Sequence, residues 1–304
     1  MGAVRTVVAR VLEAVLVVVA MASIVFFAMR LLPGDPARLV LGDEADEASL
    51  APLRHKLGLD APLYVQYARF LKGLFTLDLG ESLRHPGESA ASRVAESIGP
   101  TAQLAALAVA IGAALGVVAA VCGAGPWLGE RRRWIDRGAT AIAATPLLSF
   151  APLVTFALAA RLRVVPLPGD PDAGFGGLLF ASSLLAIPLG AQVARVSRAA
   201  LDEVARAQFL TVARAKGATA ARTWIVHALP ASAGPIVTVV ASQLGALLGG
   251  AVVLERLFER PGLGSLILES YSTRDLPVLE AAIVANPYDR DAYAAYGDWY
   301  RAQN

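Results

Sequence analysis

The stretch LDEVARAQFLTVARAKGATAARTWIVHALP, Leu201 to Pro230, lies between two runs without a single charge, residues 173–194 and 231–254. It is polar and basic, rich in helix-forming residues, and interrupted once by Gly217, which predicts two short helices joined there. On the first of them Leu201, Ala205, Phe209 and Val212 recur at three- and four-residue spacing. That spacing makes an apolar face with no membrane-length run to bury it, so a partner protein is the natural cover. Composition alone is equally compatible with a solvated basic loop.

The flanking runs decide the class of protein. A helix needs about 20 apolar residues to cross a bilayer, and a charge at its centre costs about 3 kcal/mol, so charge-poor windows mark the spans. Five windows qualify: residues 11–29 with only Glu13, 101–122, 138–160, 173–194 and 231–254. With 56% hydrophobic and 17% charged residues over 304 positions, the chain is not a soluble enzyme. A balance of 27 basic against 25 acidic residues offers no polyanion-binding surface, which excludes nucleic acid as a partner. One cysteine, Cys122, and three scattered histidines, His55, His85 and His227, assemble neither a disulfide framework nor a metal site. The first window follows Arg5 and Arg10 but is too long for a secretory signal and lacks a small-residue cleavage site before Arg30, so it is a retained anchor.

Basic residues set the orientation. The N-terminus and the loops joining windows two to three and four to five hold twelve basic residues (among them Arg131, Arg132, Arg133, Arg137, Arg195, Arg198, Arg206 and Arg222) against four acidic ones. Residues 33–100 hold seven basic and ten acidic residues. The N-terminus is therefore expected inside, with residues 33–100 outside. That outer segment has its own helical spacing at Leu50, Leu53, Leu57, Tyr64, Tyr67, Phe70, Leu71 and Leu74, and is expected to be a small folded cap. The spans contain no histidine or aspartate, which argues against both an ion-coupled carrier and an intramembrane protease. Pro146, Pro152 and Pro188 are expected to kink spans, and Gly112, Gly116, Gly245, Gly249 and Gly250 to permit close helix packing.

The loop resembles the coupling motif of ABC importer permeases, E-A-A, three residues, G, nine residues, I, one residue, L-P. Ala213, Gly217, Leu229 and Pro230 match, whereas Thr211 stands at the glutamate position and His227 at the isoleucine position. "ARAKG" followed by "HALP" is similar to the dipeptide/oligopeptide/nickel subgroup, as are RLLPGDPARLVLG (Arg30–Gly42), LGLDAPLYVQYARFLKGLFTLDLGESL (Leu57–Leu83) and LERLFERPGLGSLILESYSTRDLPVL (Leu254–Leu279).

This resemblance implies an all-α, polytopic helical membrane protein with the type I ABC importer transmembrane-domain fold. Its parts would be a first helix (1–32), an extracytoplasmic cap (33–100), a permease core (101–278) with a coupling loop (195–230), and a tail (279–304). It implies a multi-pass bacterial inner-membrane permease that moves peptides or similar solutes, with no enzyme activity or cofactor of its own. Partners would be cytoplasmic ABC ATPase subunits that bind the ATP, a second homologous permease, an extracytoplasmic solute-binding protein and membrane lipid.

The expected ATPase-coupling residues are Phe209, Val212, Ala213, Arg214, Ala215, Lys216, Gly217, Leu229 and Pro230, with Gly217 turning the chain between the two helices. Pro33, Gly34, Asp35 and Pro36 are expected to form a sharp turn after the first span; Pro261, Gly262 and Gly264 are expected to form a gating or re-entrant turn. None of these glycines belongs to a nucleotide-binding Gly-x-x-x-x-Gly-Lys-Ser/Thr sequence. The resemblance breaks at the end, where the family's sixth span is expected and Leu279–Asn304 is a polar tail. The alternative is thus a truncated or fused, non-transporting remnant that only binds the ATPase.

Overall fold

In a bilayer the backbone can satisfy its polar groups only within helices or closed barrels, and the charge-poor windows all emerge as helices. The protein is described here by a computed structural model covering residues 2–31, 35–42 and 44–286. Helix α1 (Gly2–Leu31) is the first span, and α2 (Pro36–Leu41), α3 (Glu47–Lys56) and α4 (Leu63–Thr76) make the cap. Helix α5 (Ala90–Ala124) begins eleven residues before the expected start of the second span. Then follow α6 (Arg132–Ala144), α7 (Leu147–Thr155) with a π-helical turn at Phe156–Arg161, and the fourth span, α8 (Gly174–Val204). The loop after α8 carries α9 (Gln208–Ala215), α10 (Ala220–Arg222), a second π-helical turn at Thr223–Ala228, and α11 (Leu229–Ala231). Helices α12 (Ala233–Gly250), α13 (Val252–Leu257), α14 (Leu263–Thr273) and α15 (Leu276–Ala285) complete the order. Among the described residues there is no strand, only an isolated bridge between Glu81 and Ser89.

Among the described residues, three helices are long and apolar enough to cross a membrane unaided, and two bent pairs bring the total to five if each pair is one span. The third and fifth spans are therefore broken rods: the third breaks at Pro146, where a kink is expected, and the fifth at a position without an expected kink. Arg137–Ala144 and Ser149–Arg161 meet at 101°, and Ala220–Ala231 and Ala233–Leu247 at 64°. Pro146 accounts for the first break, because it cannot donate to a helical ladder and disfavours helical geometry at Thr145. Pro188 lies inside α8 without ending it.

The chain divides into two units, Met1–Pro100 with Pro261–Asn304, and Thr101–Arg260. In the first, Val25 of α1, Ala90 and Val94 of α5, Leu263, Leu266 and Ile267 of α14, and Val278, Leu279 and Ile283 of α15 form one apolar core. Arg30 pins its rim: the guanidinium pairs with Glu280 at 3.1 Å, donates to Gln66 at 3.0 Å and lies 3.7 Å over the Phe26 ring. The loop before α5 is clasped to the α14–α15 corner by Asp275, whose carboxylate accepts from the Ser82 hydroxyl and, at 3.0 Å, from the Leu83 N–H. In the cap, Arg54 bridges Asp35 (2.8 Å from its Nε) and Glu47. Burial opposes ionisation of Asp35, but hydrogen bonds from Arg54 and from the Ala37 N–H outweigh it and hold the carboxyl below its usual range.

In the second unit, Leu104 and Ala108 of α5, Ala151 of α7, Phe180, Leu184 and Leu185 of α8, and Leu254 of α13 share a core that also takes Phe258. Val109, Leu189, Val193 and Val239 join α5, α8 and α12. Helices α5 and α8 approach to backbone contact. A Cβ on Gly116 would lie 2.6 Å from the Gly190 carbonyl oxygen, and one on Gly112 would lie 2.4 Å from the Leu189 side chain. In hydrocarbon, where lipid is as apolar as leucine, such van der Waals fit is what holds helices together.

Two outcomes follow. Gly116→Val is expected to force α5 off α8 and destabilise the detergent-solubilised protein by about 1–3 kcal/mol, the range for an overpacked core. Gly245→Ala, with nothing within 4 Å of the added carbon, is expected to leave the melting temperature in place. In the cap, a depressed folded-state pKa means that the Asp35 contribution is full above the ordinary carboxyl value and vanishes as pH falls through the folded value. Limited proteolysis of the cap is expected to be flat near neutral pH and to accelerate on acidification below that of a free carboxyl; Asp35→Asn removes that dependence.

Candidate functional site

The loop after α8 is built on one anchored leucine. Helix α8 ends at Val204, the chain turns through Ala205–Ala207 with Ala207 extended, and α9 starts at Gln208. The apolar face expected along a single helix is therefore divided between two elements. Leu201 belongs to the end of α8 and is fully buried, whereas Phe209 and Val212 sit on α9 and are 46% and 52% exposed. Leu210, the residue beside Phe209, points the other way. It is fully buried against Leu201, Ala120 of α5, and Trp224 and Ala228 of the following π-helical turn. Helix α9 is thereby held on its inner side while Phe209 and Val212 face outward.

Gly217 closes α9. Its φ of +86° lies in the left-handed region that costs an L-residue about 1–2 kcal/mol. The closing bonds run from Gly217 N–H to the Arg214 carbonyl (2.9 Å) and from Ala218 N–H to the Ala213 carbonyl (3.1 Å), the paired pattern of a glycine-terminated helix. Thr219 then caps the next helix, its hydroxyl accepting from the Arg222 N–H. Ala213 is half-buried, while Arg214, Ala215, Lys216 and Gly217 are exposed around the same end. Phe209 to Gly217 thus form one continuous surface element. Leu229, half-buried, and Pro230, exposed, lie beyond the π-helical turn in α11.

The other singled-out residues divide. Asp35 caps α2 by accepting from the Ala37 N–H at 3.0 Å, and Pro36 is the first residue of that helix. Pro33 and Gly34 lie outside the described residues. Pro261 and Gly262 occupy the non-helical link between α13 and α14, where Gly262 is extended, and Gly264 is buried inside the first turn of α14. The preceding Phe258 is buried and meets the Phe180 ring edge-on at 5.5 Å. Glu259, with φ of +51°, lays its carboxylate against Gly169, where a Cβ would come within 2.8 Å of it.

Spacing did not reveal three buried contributors. Leu210 looked like one more apolar residue of an amphipathic helix, and Trp224 like part of a basic loop. Glu255 escaped because it falls just outside the last charge-poor window, yet it is fully buried and accepts from the Thr101 hydroxyl at 2.6 Å. Among the described residues, no group of three His, Cys, Asp or Glu side chains is placed to hold a metal.

Comparison with known proteins gives the class. Residues 99–286 match the family described as binding-protein-dependent transport system inner membrane component, and residues 3–99 match its N-terminal counterpart. The chain belongs to this family: it is a permease subunit of an ABC importer, a multi-pass protein of the inner membrane. Among its relatives, the glutathione transport system permease protein GsiC of Salmonella paratyphi A is 36% identical over 271 residues, covering 86% of this chain and 85% of the relative. GsiC of Escherichia coli K12 is 35% identical over 269 residues, covering 86% and 84%.

The two faces of α9 are expected to separate in mutagenesis. Leu210→Ala removes a fully buried side chain and should destabilise the protein by about 2–5 kcal/mol, whereas Val212→Ser should stay within about 0.5 kcal/mol. Thermal denaturation of the purified chain measures both.

Proposed function

We propose that this permease imports short peptides, glutathione-like tripeptides among them, and that α9 is the surface on which a cytoplasmic ABC ATPase docks. The solute class rests on the relatives, which transport glutathione by name and of which one is 36% identical to this chain over 271 residues. The docking rests on one observation: Phe209 and Val212 stand exposed on a short helix fastened underneath by Leu210 and ringed by Arg214 and Lys216. A small apolar centre with a charged rim is the anatomy of a protein interface. The spans offer lipid, not a soluble partner, as the cover for their own exposed apolar residues, but α9 is too short to cross a bilayer.

In this reading ATP binds and is hydrolysed on the partner, and the permease needs no cofactor of its own. Closure of the ATPase pair pushes α9 and, through it, the inner ends of α5 and α8. A second, homologous permease completes the pathway, and an extracytoplasmic binding protein delivers the solute. The N-terminus is cytoplasmic, in keeping with the basic residues that surround α9 and those, Arg5 and Arg10, in the first turns of α1. The alternative of a non-transporting remnant is not favoured, since similarity to working permeases runs along 86% of the chain.

Gly217→Val tests the docking surface. Nothing lies within 4 Å of the added carbon, so the cost is backbone strain at the end of α9 alone. The expected result is a protein that reaches the membrane at normal levels while ATP hydrolysis no longer drives uptake of labelled glutathione or dipeptides into vesicles carrying the complete transporter. Unchanged uptake would overturn the docking assignment, and coupled ATP hydrolysis with no uptake of any peptide would overturn the solute class.

A further inference from the structure

The path from α9 into the membrane is not a straight rod. Pro230 has no N–H for the Val226 carbonyl, and its ring would press on that carbonyl in a regular helix. The backbone accommodates it with the π-helical turn at Thr223–Ala228, where the Leu229 N–H reaches back five residues to the Trp224 carbonyl. Just beyond the proline, Ser232 is 1% exposed and turns both its N–H and its hydroxyl onto the one carbonyl of Ala228, each at 3.0 Å. There the helix axis bends by 64° before continuing as α12. Single π-helical turns are uncommon and concentrate at functional positions.

Two side chains link this irregular segment to the rest. Trp224, 6% exposed, is packed in one cluster with Leu210 of α9, Leu201 of α8 and Ala120 of α5. Ser232 has backbone angles of −93° and 3°, in the sparsely populated bridge region, and its two bonds to Ala228 fix the bend without a third element. A close-packed cluster transmits displacement because it does not compress, whereas a bend at the end of an element absorbs it.

We propose that Trp224 and Ser232 are positioning residues for transport. Trp224 is the wedge that passes displacement of α9 into the fifth span, and Ser232 is the joint about which α12 turns relative to the inner end of that span. The proposal rests on α9 being the ATPase docking helix, and it adds a location for the movement that docking drives. A straight fifth span would carry the inner end and α12 together; a jointed one lets the inner end follow the ATPase while α12 swings.

The experiment uses the complete transporter in lipid nanodiscs with spin labels at Gln208 of α9, exposed and outside the expected coupling residues, and Val237 of α12, also exposed. Distances are measured with and without a non-hydrolysable ATP analogue, alongside co-purification of the ATPase. The native sequence is expected to show a shift of the Gln208–Val237 distance on nucleotide binding. Trp224→Ala is expected to retain the ATPase but lose the shift and broaden the distribution, with solute-stimulated ATP hydrolysis falling about tenfold, mid-range for coupling between sites. Trp224→Phe restores the shift. Ser232→Ala broadens the distribution and Ser232→Thr, which keeps the hydroxyl, restores it.

No distance change in the native protein, or an undiminished change in Trp224→Ala, overturns the proposal while leaving the docking surface intact. Release of the ATPase by Trp224→Ala also overturns it, since the tryptophan would then only support α9. Retention of the ATPase by Phe209→Asp removes the docking assignment itself, and the joint with it.

Discussion

A backbone in hydrocarbon has no water to fall back on, so each N–H and carbonyl must find its partner within the protein. The rest of this structure follows from that constraint. Charge-poor windows become helices because only helices satisfy it locally, and a proline within or beside them removes one donor from the ladder. Pro146 stops a helix outright and lets the chain restart at a steep angle as α7. Where the helix must continue, the hydrogen bonds step out to five residues, as from Leu162 to Ala157 and from Leu229 to Trp224. The wider turns keep the backbone paired, while the bends of the third and fifth spans fall at Pro146 and Ser232.

Held this way, the two units use different means of cohesion. The unit containing the cap relies on polar fastenings around a modest apolar core, with Arg30 on Glu280, Arg54 on Asp35 and Asp275 on the Ser82 loop. The unit containing α9 relies on fit, with Gly112 and Gly116 letting α5 meet α8 at backbone distance and aliphatic clusters filling what remains. Polar fastening suits an aqueous surface, where water has already solvated the competing state. Fit suits the membrane, where there is no hydrophobic gain from moving a leucine out of lipid.

Helix α9 shows how adjacent residues divide labour. Phe209 and Leu210 are chemically alike and neighbours in sequence, yet one is exposed and the other buried. Helical spacing placed Leu201, Ala205, Phe209 and Val212 on one stripe, but the turn at residues 205–207 breaks that stripe and resets its phase. Leu210 then becomes the buried anchor and Phe209 stays exposed. The glycine at the end of α9 was legible from sequence because a lone glycine between two helix-forming runs has few other uses. The tryptophan beyond it was not, since nothing local distinguishes a wedge from an ordinary apolar residue in a loop.

Sequence alone determined that this is a helical membrane protein, which windows span the bilayer, which side the basic loops occupy in expectation, and which loop resembles the coupling element of its family. Those properties depend on hydropathy and spacing along one chain, and hydrocarbon punishes departures from them severely. Tertiary structure decided that two of the spans are broken, that α5 starts at Ala90, that Leu210 rather than Phe209 faces inward, and that Glu255 and Asp275 are buried acceptors tied to Thr101 and Ser82. Each of these depends on which distant residue fills the neighbouring space, from Gly190 against Gly116 to Trp224 beneath α9. Pairing between residues so far apart in the chain leaves no periodic trace in it.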